Sequence, residues 1–240
     1  VGELYLEFHR GTYTSIARNK KNNRECEFLC QTTETLAVAN DILNGRAYPE
    51  EKLEKAWKTL LLNQFHDIIP GSSIREVYEE SDREYDELRR VIGEEKKSAL
   101  EEIARSVSEK GLLVYNPNSF EASGLVENGG EYVYAENIPP MGWKVVEPKK
   151  AEGIVTVSDK CIESEHYKIL FDDNMNIVSL FDKDFAREVV EEGRCANQLQ
   201  AFEDYPRLWD NWEITDYYQD KMQTVNNVES LRPINGGCFG

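Results

Sequence analysis

Apolar positions follow two different periods along this chain. Between about Glu25 and Ser108 they recur every three or four residues, the period of one helix face. Beyond Lys110-Gly111 they come as short β-branched and aromatic runs between turn residues. The helical stretch divides into three. The first helix runs from near Glu25 to Asn44, with Leu29, Leu36, Ala37 and Asn40 near one stripe and Gly45 as its left-handed stop. Pro49-Glu50-Glu51 opens the second, because proline suits a first turn and acids suit the positive end of the helix dipole. Leu53, Ala56, Trp57, Leu60, Leu61 and Asn63 carry it to Gln64-Phe65-His66, where Ile69-Pro70-Gly71 breaks it. Phe65 is expected to face the bundle core, about 100° around the helix from His66. Ser73-Ile74-Arg75-Glu76 has the form of a capping box and opens the third helix. Its stripe of Ile74, Tyr78, Ser81, Tyr85, Leu88, Ile92, Ala99, Ile103 and Val107 is interrupted around Glu95–Ser98.

Three amphipathic helices with short connections predict an antiparallel bundle. The runs at Leu112–Tyr115, Tyr132–Tyr134, Trp143–Val146, Ile154–Val157, Tyr167–Phe171 and Ile177–Phe181 predict strands of a β-sandwich, with turn signals such as Asp172-Asp173-Asn174 between them. The fold class is therefore α+β multidomain, a three-helix bundle followed by an antiparallel β-sandwich, with the change near 108–111. Ahead of the bundle, Leu4-Tyr5-Leu6-Glu7-Phe8 alternates as a strand does, and His9 to Ser15 reads as a polar loop with Lys20, Lys21 and Arg24 as its solvated rim.

Charge narrows the choice of partners. The 240 residues hold 28 Lys+Arg and 45 Asp+Glu, a formal net charge of −17. That argues against nucleic acid, which needs a basic face, and against an anionic membrane surface. No run reaches the ~18 apolar residues of a membrane span. Five cysteines at irregular spacing form no CxxC pair, so neither a zinc ribbon nor a disulfide scaffold is indicated, and a reducing compartment is favoured. Cys26 and Cys30 share a helix face, as a two-thiol metal site or as packed small residues. The start at Val1 and the end at Gly240 both look cut, and the chain is expected to be a piece of something longer.

Three groups of residues could carry chemistry. His66 lies at a helix end beside Asp67, just before the Pro70-Gly71 break. A neutral imidazole there is a good zinc ligand that the carboxylate could join or orient, and the same histidine could instead cap the helix carbonyls. His9-Arg10 offers an imidazole and a guanidinium fork, for a carboxylate, a sugar hydroxyl or a surface salt bridge. The stretch Glu203–Tyr218 sets Trp209, Trp212, Tyr217 and Tyr218 among acids including Asp204 and Asp210. Aromatic faces stack on the C–H faces of sugars and carboxylates accept their hydroxyls, so the mix suits a carbohydrate; a loop pinned under a sheet by large aromatics is the alternative. His166 is expected to have no function.

Taken together, Glu3 to Ser15, Asn63-Gln64-Phe65-His66-Asp67-Ile68-Ile69-Pro70-Gly71-Ser72-Ser73, Val114-Tyr115-Asn116-Pro117, Ile138-Pro139-Pro140-Met141-Gly142 and Asp204-Tyr205-Pro206 with Trp209-Asp210-Asn211-Trp212 resemble glycoside hydrolase family 38, the α-mannosidases. The wording is closest to bacterial, cytoplasmic-type members. The resemblance implies residues 1–24 as the end of a catalytic barrel, 25–109 as the three-helix middle domain, and 110–240 as an incomplete, galactose-mutarotase-like β-sandwich. It implies a retaining exo-α-mannosidase that removes terminal α-linked mannose from mannose-containing oligosaccharides and uses one zinc ion per full-length subunit. His66 matches the metal ligand of the middle domain. Asp67, His9, Arg10, Tyr13, Asp204, Trp209, Asp210 and Trp212 are the implied substrate-binding residues. The nucleophile and acid/base carboxylates are expected in a barrel outside this chain, so the chain alone is expected to be inactive and to hold no zinc. A non-catalytic carbohydrate-binding or oligomerisation module is the competing reading. Apolar faces left without their neighbours would favour a homo-oligomer.

Overall fold

The computed structural model describes residues 9–148, 155–206 and 208–230. The strand read at Leu4–Phe8, as well as Ile154 and Cys238, lies outside them. Three helices come first: α1 (Ala17–Asn44), α2 (Glu50–Asn63) and α3 (Arg75–Ser106). Antiparallel strands follow, as expected from the change in period.

Helix α1 starts at Ala17, eight residues ahead of the start expected near Glu25. Its buried face in the first two turns is Asn19 and Asn22, followed by Cys26, Cys30, Thr33, Leu36, Ala37 and Asn40. Polar residues at core positions hide the helix from a hydrophobicity reading, and Lys20, Lys21 and Arg24 are helical rather than loop. The Asn22 amide is bonded at both ends: its Nδ2 donates to Asp82 Oδ1 at 3.3 Å, and its Oδ1 accepts from Arg89 at 3.1 Å, whereas Asn19 Oδ1 is buried without a partner. The helix stops where Gly45 takes φ +67° and its N–H reaches Asp41 O, the left-handed cap that favours glycine.

The core joins Cys26 and Cys30 of α1, Leu53, Ala56 and Leu60 of α2, and Tyr85, Leu88 and Ile92 of α3. Leu61 and Phe65 are exposed, against expectation. Leu53, Ala56, Leu60 and Asn63 already fill the inner face of α2. The helix ends at Asn63, so the helical offset assumed for Phe65 does not apply. Ile74 is also exposed, as the N-cap of α3. The capping box does not form. Ser73 Oγ donates instead to Asp67 O at 2.5 Å.

The interruption in the α3 stripe is a polar inlay within an unbroken helix. Arg46, in the α1–α2 connection, donates to Glu95 at 3.1 Å, Ser98 Oγ at 2.8 Å and Glu102 at 2.9 Å. Asn40 also donates to Glu102, at 2.7 Å.

Helix α2 has 14 residues against 28 and 32 for its neighbours, which leaves the far end of the α1–α3 pair without a third helix. Strands β1 (Leu112–Asn116) and β4 (Gly142–Val146) pair antiparallel, with Val114 opposite Lys144. Their Leu113, Tyr115 and Trp143 pack there against Leu36, Ala99 and Ile103. These strands and the turn 205–215 belong to one compact unit with the helices.

The second unit holds most of the β2 (Ala122–Asn128) and β3 (Glu131–Ile138) hairpin. It also holds a five-stranded meander of β5 (Thr156–Ser158), β6 (Cys161–Glu163), β7 (Tyr167–Phe171), β8 (Ile177–Asp182) and β9 (Arg187–Glu188). The pair β10 (Gln200–Phe202) and β11 (Met222–Thr224) completes it.

Candidate functional site

Three stretches far apart in sequence converge in the helical unit: residues 9–16, the turn after α2, and the turn 209–213. Two glycines let them meet. Gly11 N–H donates to Trp212 O at 2.9 Å, and a Cβ on Gly11 would stand 2.6 Å from Asn211 O. Gly71 has φ +92°, and a Cβ there would stand 2.7 Å from Ser15 O. Both approaches are closer than any side chain permits. Ser15 Oγ lies 2.8 Å from Gly11 O and 3.2 Å from Asn211 O, so it touches both neighbours. Lys20 donates to Ser15 O from a partly buried position, and burial lowers its ammonium pKa.

The turn after α2 is fixed from beneath. Ile68 O accepts from the Tyr78 hydroxyl at 3.1 Å and from Asn19 Nδ2 at 3.3 Å, while Tyr78 Oη accepts the Ser73 N–H at 3.0 Å. The 209–213 turn closes on itself, with Trp212 and Glu213 N–H groups both donating to Trp209 O, at 2.9 and 3.0 Å. Its backbone is left-handed at Trp209 (φ 64°) and Asn211 (φ 67°). Asparagine adopts that region readily and tryptophan does not.

Between these stretches lies a cleft of about 520 Å³ lined by His9, Asp67, Ser72, Trp209 and Trp212. The His9 ring stands edge-on to Trp212, with centroids 5.4 Å apart. Four of the implied substrate-binding residues therefore share one cavity. The rest lie elsewhere. Arg10 is half-buried in the turn ahead of Gly11, Tyr13 is 72% exposed, Asp210 is exposed at the tip of the Trp turn, and Asp204 belongs to the other unit. Ser72 is a lining residue that the sequence reading did not name. Its only signal was its place next to Gly71, and its hydroxyl is buried without a hydrogen-bond partner.

His66 stands beside this cleft in sequence and faces solvent, with 74% of its side chain exposed. Its Nε2 is 3.5 Å from Asp67 Oδ2, and the Phe65 ring rests against the imidazole at 4.2 Å between centroids. An exposed imidazole with a carboxylate alongside suits a single share in a metal's ligand set. Among the described residues, no three His, Cys, Asp or Glu side chains gather closely enough to hold an ion. Cys26 and Cys30 are fully buried free thiols, and burial pushes the Cys30 thiol up to about 12, so they pack as small apolar groups. Among the described residues, no helix is long and apolar enough to cross a membrane.

Comparison with known proteins bears on the whole chain. Residues 7–103 match the "Alpha mannosidase middle domain", and residues 162–238 match the "Glycosyl hydrolases family 38 C-terminal domain". Alpha-mannosidase 2C1 of Homo sapiens is 32% identical over 94% of this chain. The Alpha-mannosidase of Saccharomyces cerevisiae is 27% identical over 96% of it. The chain spans 23% and 21% of the length of those two relatives. The fold is similar to that in the crystal structure of an alpha-mannosidase from Enterococcus faecalis V583, with a TM-score of 0.65 at 14% identity over 90% of this chain and 32% of that one. A second Enterococcus faecalis protein in glycosyl hydrolase family 38 matches with a TM-score of 0.54 at 16% identity, over 74% of this chain and 30% of that one. The helical bundle matching the middle domain and the β region matching the C-terminal domain together place this chain in glycosyl hydrolase family 38.

Proposed function

We propose that this chain is part of a retaining, metal-dependent exo-α-mannosidase that releases terminal α-linked mannose from glycans. The observation that carries the reading is the cleft that Asp67 lines together with Trp209 and Trp212, with His66 next in sequence to Asp67. Indole faces take the C–H face of a sugar ring, and a carboxylate takes its hydroxyl protons. In this reading His66 supplies one nitrogen to a zinc ion, and Asp67 either orients the imidazole or accepts a sugar hydroxyl. When bound, the zinc would act as a template and Lewis acid toward the hydroxyls of the mannose. Trp212, half-buried and braced by His9, holds the ring of the sugar.

The two carboxylates that a retaining glycosidase needs are assigned to sequence outside this chain. The chain alone should then bind sugar without hydrolysing it, the behaviour of the competing, non-catalytic reading. We place the protein in the cytoplasm on the support of its free thiols. We assign it a mannose-containing oligosaccharide as partner, with nucleic acid and membrane disfavoured by its net charge of −17. Exposed Phe185, Leu199 and Leu208 support a homo-oligomer.

The test is His66→Ala in the full-length enzyme that contains this segment. Activity on an aryl α-mannoside should fall at least about a hundredfold, and bound zinc should fall with it. Unchanged zinc content with full activity would refute the ligand assignment. Hydrolysis by the isolated chain, abolished by mutating one of its own acids, would refute the division of labour.

A further inference from the structure

The two indoles of the cleft are held in different ways. Trp212 is half-buried, with the His9 ring set edge-on to it. Trp209 is 62% exposed and carries a left-handed backbone that large side chains rarely adopt. The turn does not relax, because it is pinned at several points. Trp209 O accepts two N–H bonds from within the turn, Gly11 N–H holds Trp212 O, and Ser15 Oγ reaches Asn211 O. A fixed, strained turn that keeps a large aromatic face in water is the pattern of a preorganised binding element.

We propose, resting on the α-mannosidase reading above, that Trp209 is the platform for the sugar on the leaving side of the scissile bond. An enzyme that trims chain ends takes the terminal sugar inward and leaves the next one at the mouth. Asp67 and the half-buried Trp212 serve the inner sugar. Trp209 is the aromatic face presented to solvent at the same cavity. A sugar stacked on it is positioned before the bond breaks, so the residue sets a preference for oligosaccharides over substrates with a small leaving group.

The test uses the full-length enzyme with Trp209→Asn, which removes the indole and keeps a residue that tolerates the left-handed turn. Trp209→Phe serves as the conservative variant. Substrates are the α-1,2-, α-1,3- and α-1,6-linked mannobioses and α-mannosyl fluoride, whose leaving group has no sugar. For the mannobiose that the wild type cleaves best, kcat/KM should fall about tenfold in Trp209→Asn and recover most of that loss in Trp209→Phe, the scale expected for one lost aromatic contact. On the fluoride, the loss in kcat/KM should be at least about fivefold smaller than the loss on that mannobiose. Equal losses on both substrates, or no loss on the mannobiose, would overturn the assignment and leave the α-mannosidase reading standing. A wild type inert toward all four substrates would overturn both.

Discussion

Replacing Gly11 by alanine tests the architecture of the cleft with one methyl group. The added Cβ would stand 2.6 Å from Asn211 O and 3.0 Å from Asn211 C. Ordinary carbon–oxygen contact is about 3.4 Å, so the two stretches must part by several tenths of an ångström. Neither side gives easily, because both contacting atoms are backbone. Overpacking of this kind costs about 1–3 kcal/mol. Parting the backbones also stretches the 2.9 Å bond from Gly11 N–H to Trp212 O. A lost backbone bond adds about 0.5–1.5 kcal/mol, for a total of about 1.5–4.5 kcal/mol. Urea unfolding followed by circular dichroism of the helices measures the loss. Native-state hydrogen exchange at the Gly11 amide reports the local break. A loss below about 0.5 kcal/mol with the amide still protected would refute the reasoning. Gly71→Ala meets Ser15 in the same way, and Ser15 touches both Gly11 and Asn211. The double variant should therefore lose less than the sum of the singles.

Other consequences can be checked separately. Arg46→Met should destabilise the bundle by about 2–3 kcal/mol, because Glu95 and Glu102 lose their guanidinium, and thermal unfolding against the wild type decides it. Iodoacetamide should label Cys161 and Cys195 in the native protein while Cys26 and Cys30 react only on unfolding; native labelling of Cys30 would contradict its burial. The Asn40 amide, and then Arg46, hold the Glu102 carboxyl below its ordinary 4.5. A depressed carboxylate stabilises the fold above its unfolded pKa, and that contribution disappears as pH falls through the folded value. Glu102→Gln should therefore be less stable than wild type at neutral pH, with the gap narrowing as pH falls below the ordinary 4.5; a gap that stays constant as pH falls would rule the linkage out.

Much of the bundle was legible because its signals are local. Gly45 as a stop, the opening of α2 at Pro49-Glu50-Glu51 (with Pro49 as its N-cap) and the stripe through Tyr85, Leu88 and Ile92 each follow from chemistry within a few residues. The early turns of α1 were not legible, since Asn19 and Asn22 occupy core positions that only partners on α3 and the Ile68 turn make acceptable. Strands β9, β10 and β11 are two or three residues long and mostly exposed, so no periodicity marks them. At the cleft, residue types pointed to a sugar, and which residues meet was settled by long-range contacts. Trp212 reaches His9 because glycine at 11 admits the approach, while Tyr13, only two residues on, turns to solvent.

The route by which the cleft closes has a consequence in time. His9 and Trp212 are separated by roughly two hundred residues, yet their backbones are joined through Gly11. At a synthesis rate of about 5–20 residues per second, the first wall waits on the order of 10–40 s for the second. The helices, whose bonds are local, need no such delay to form. The nascent chain therefore carries an ordered bundle with an open mouth from the completion of α3 at Ser106 until the 209–213 turn has been made. During that interval the Ser15–Gly71 junction is set while the Gly11 amide has no acceptor. A stalled chain ending before Tyr205 should show a protected bundle and a freely exchanging Gly11, and release of the longer chain should quench that exchange in one step.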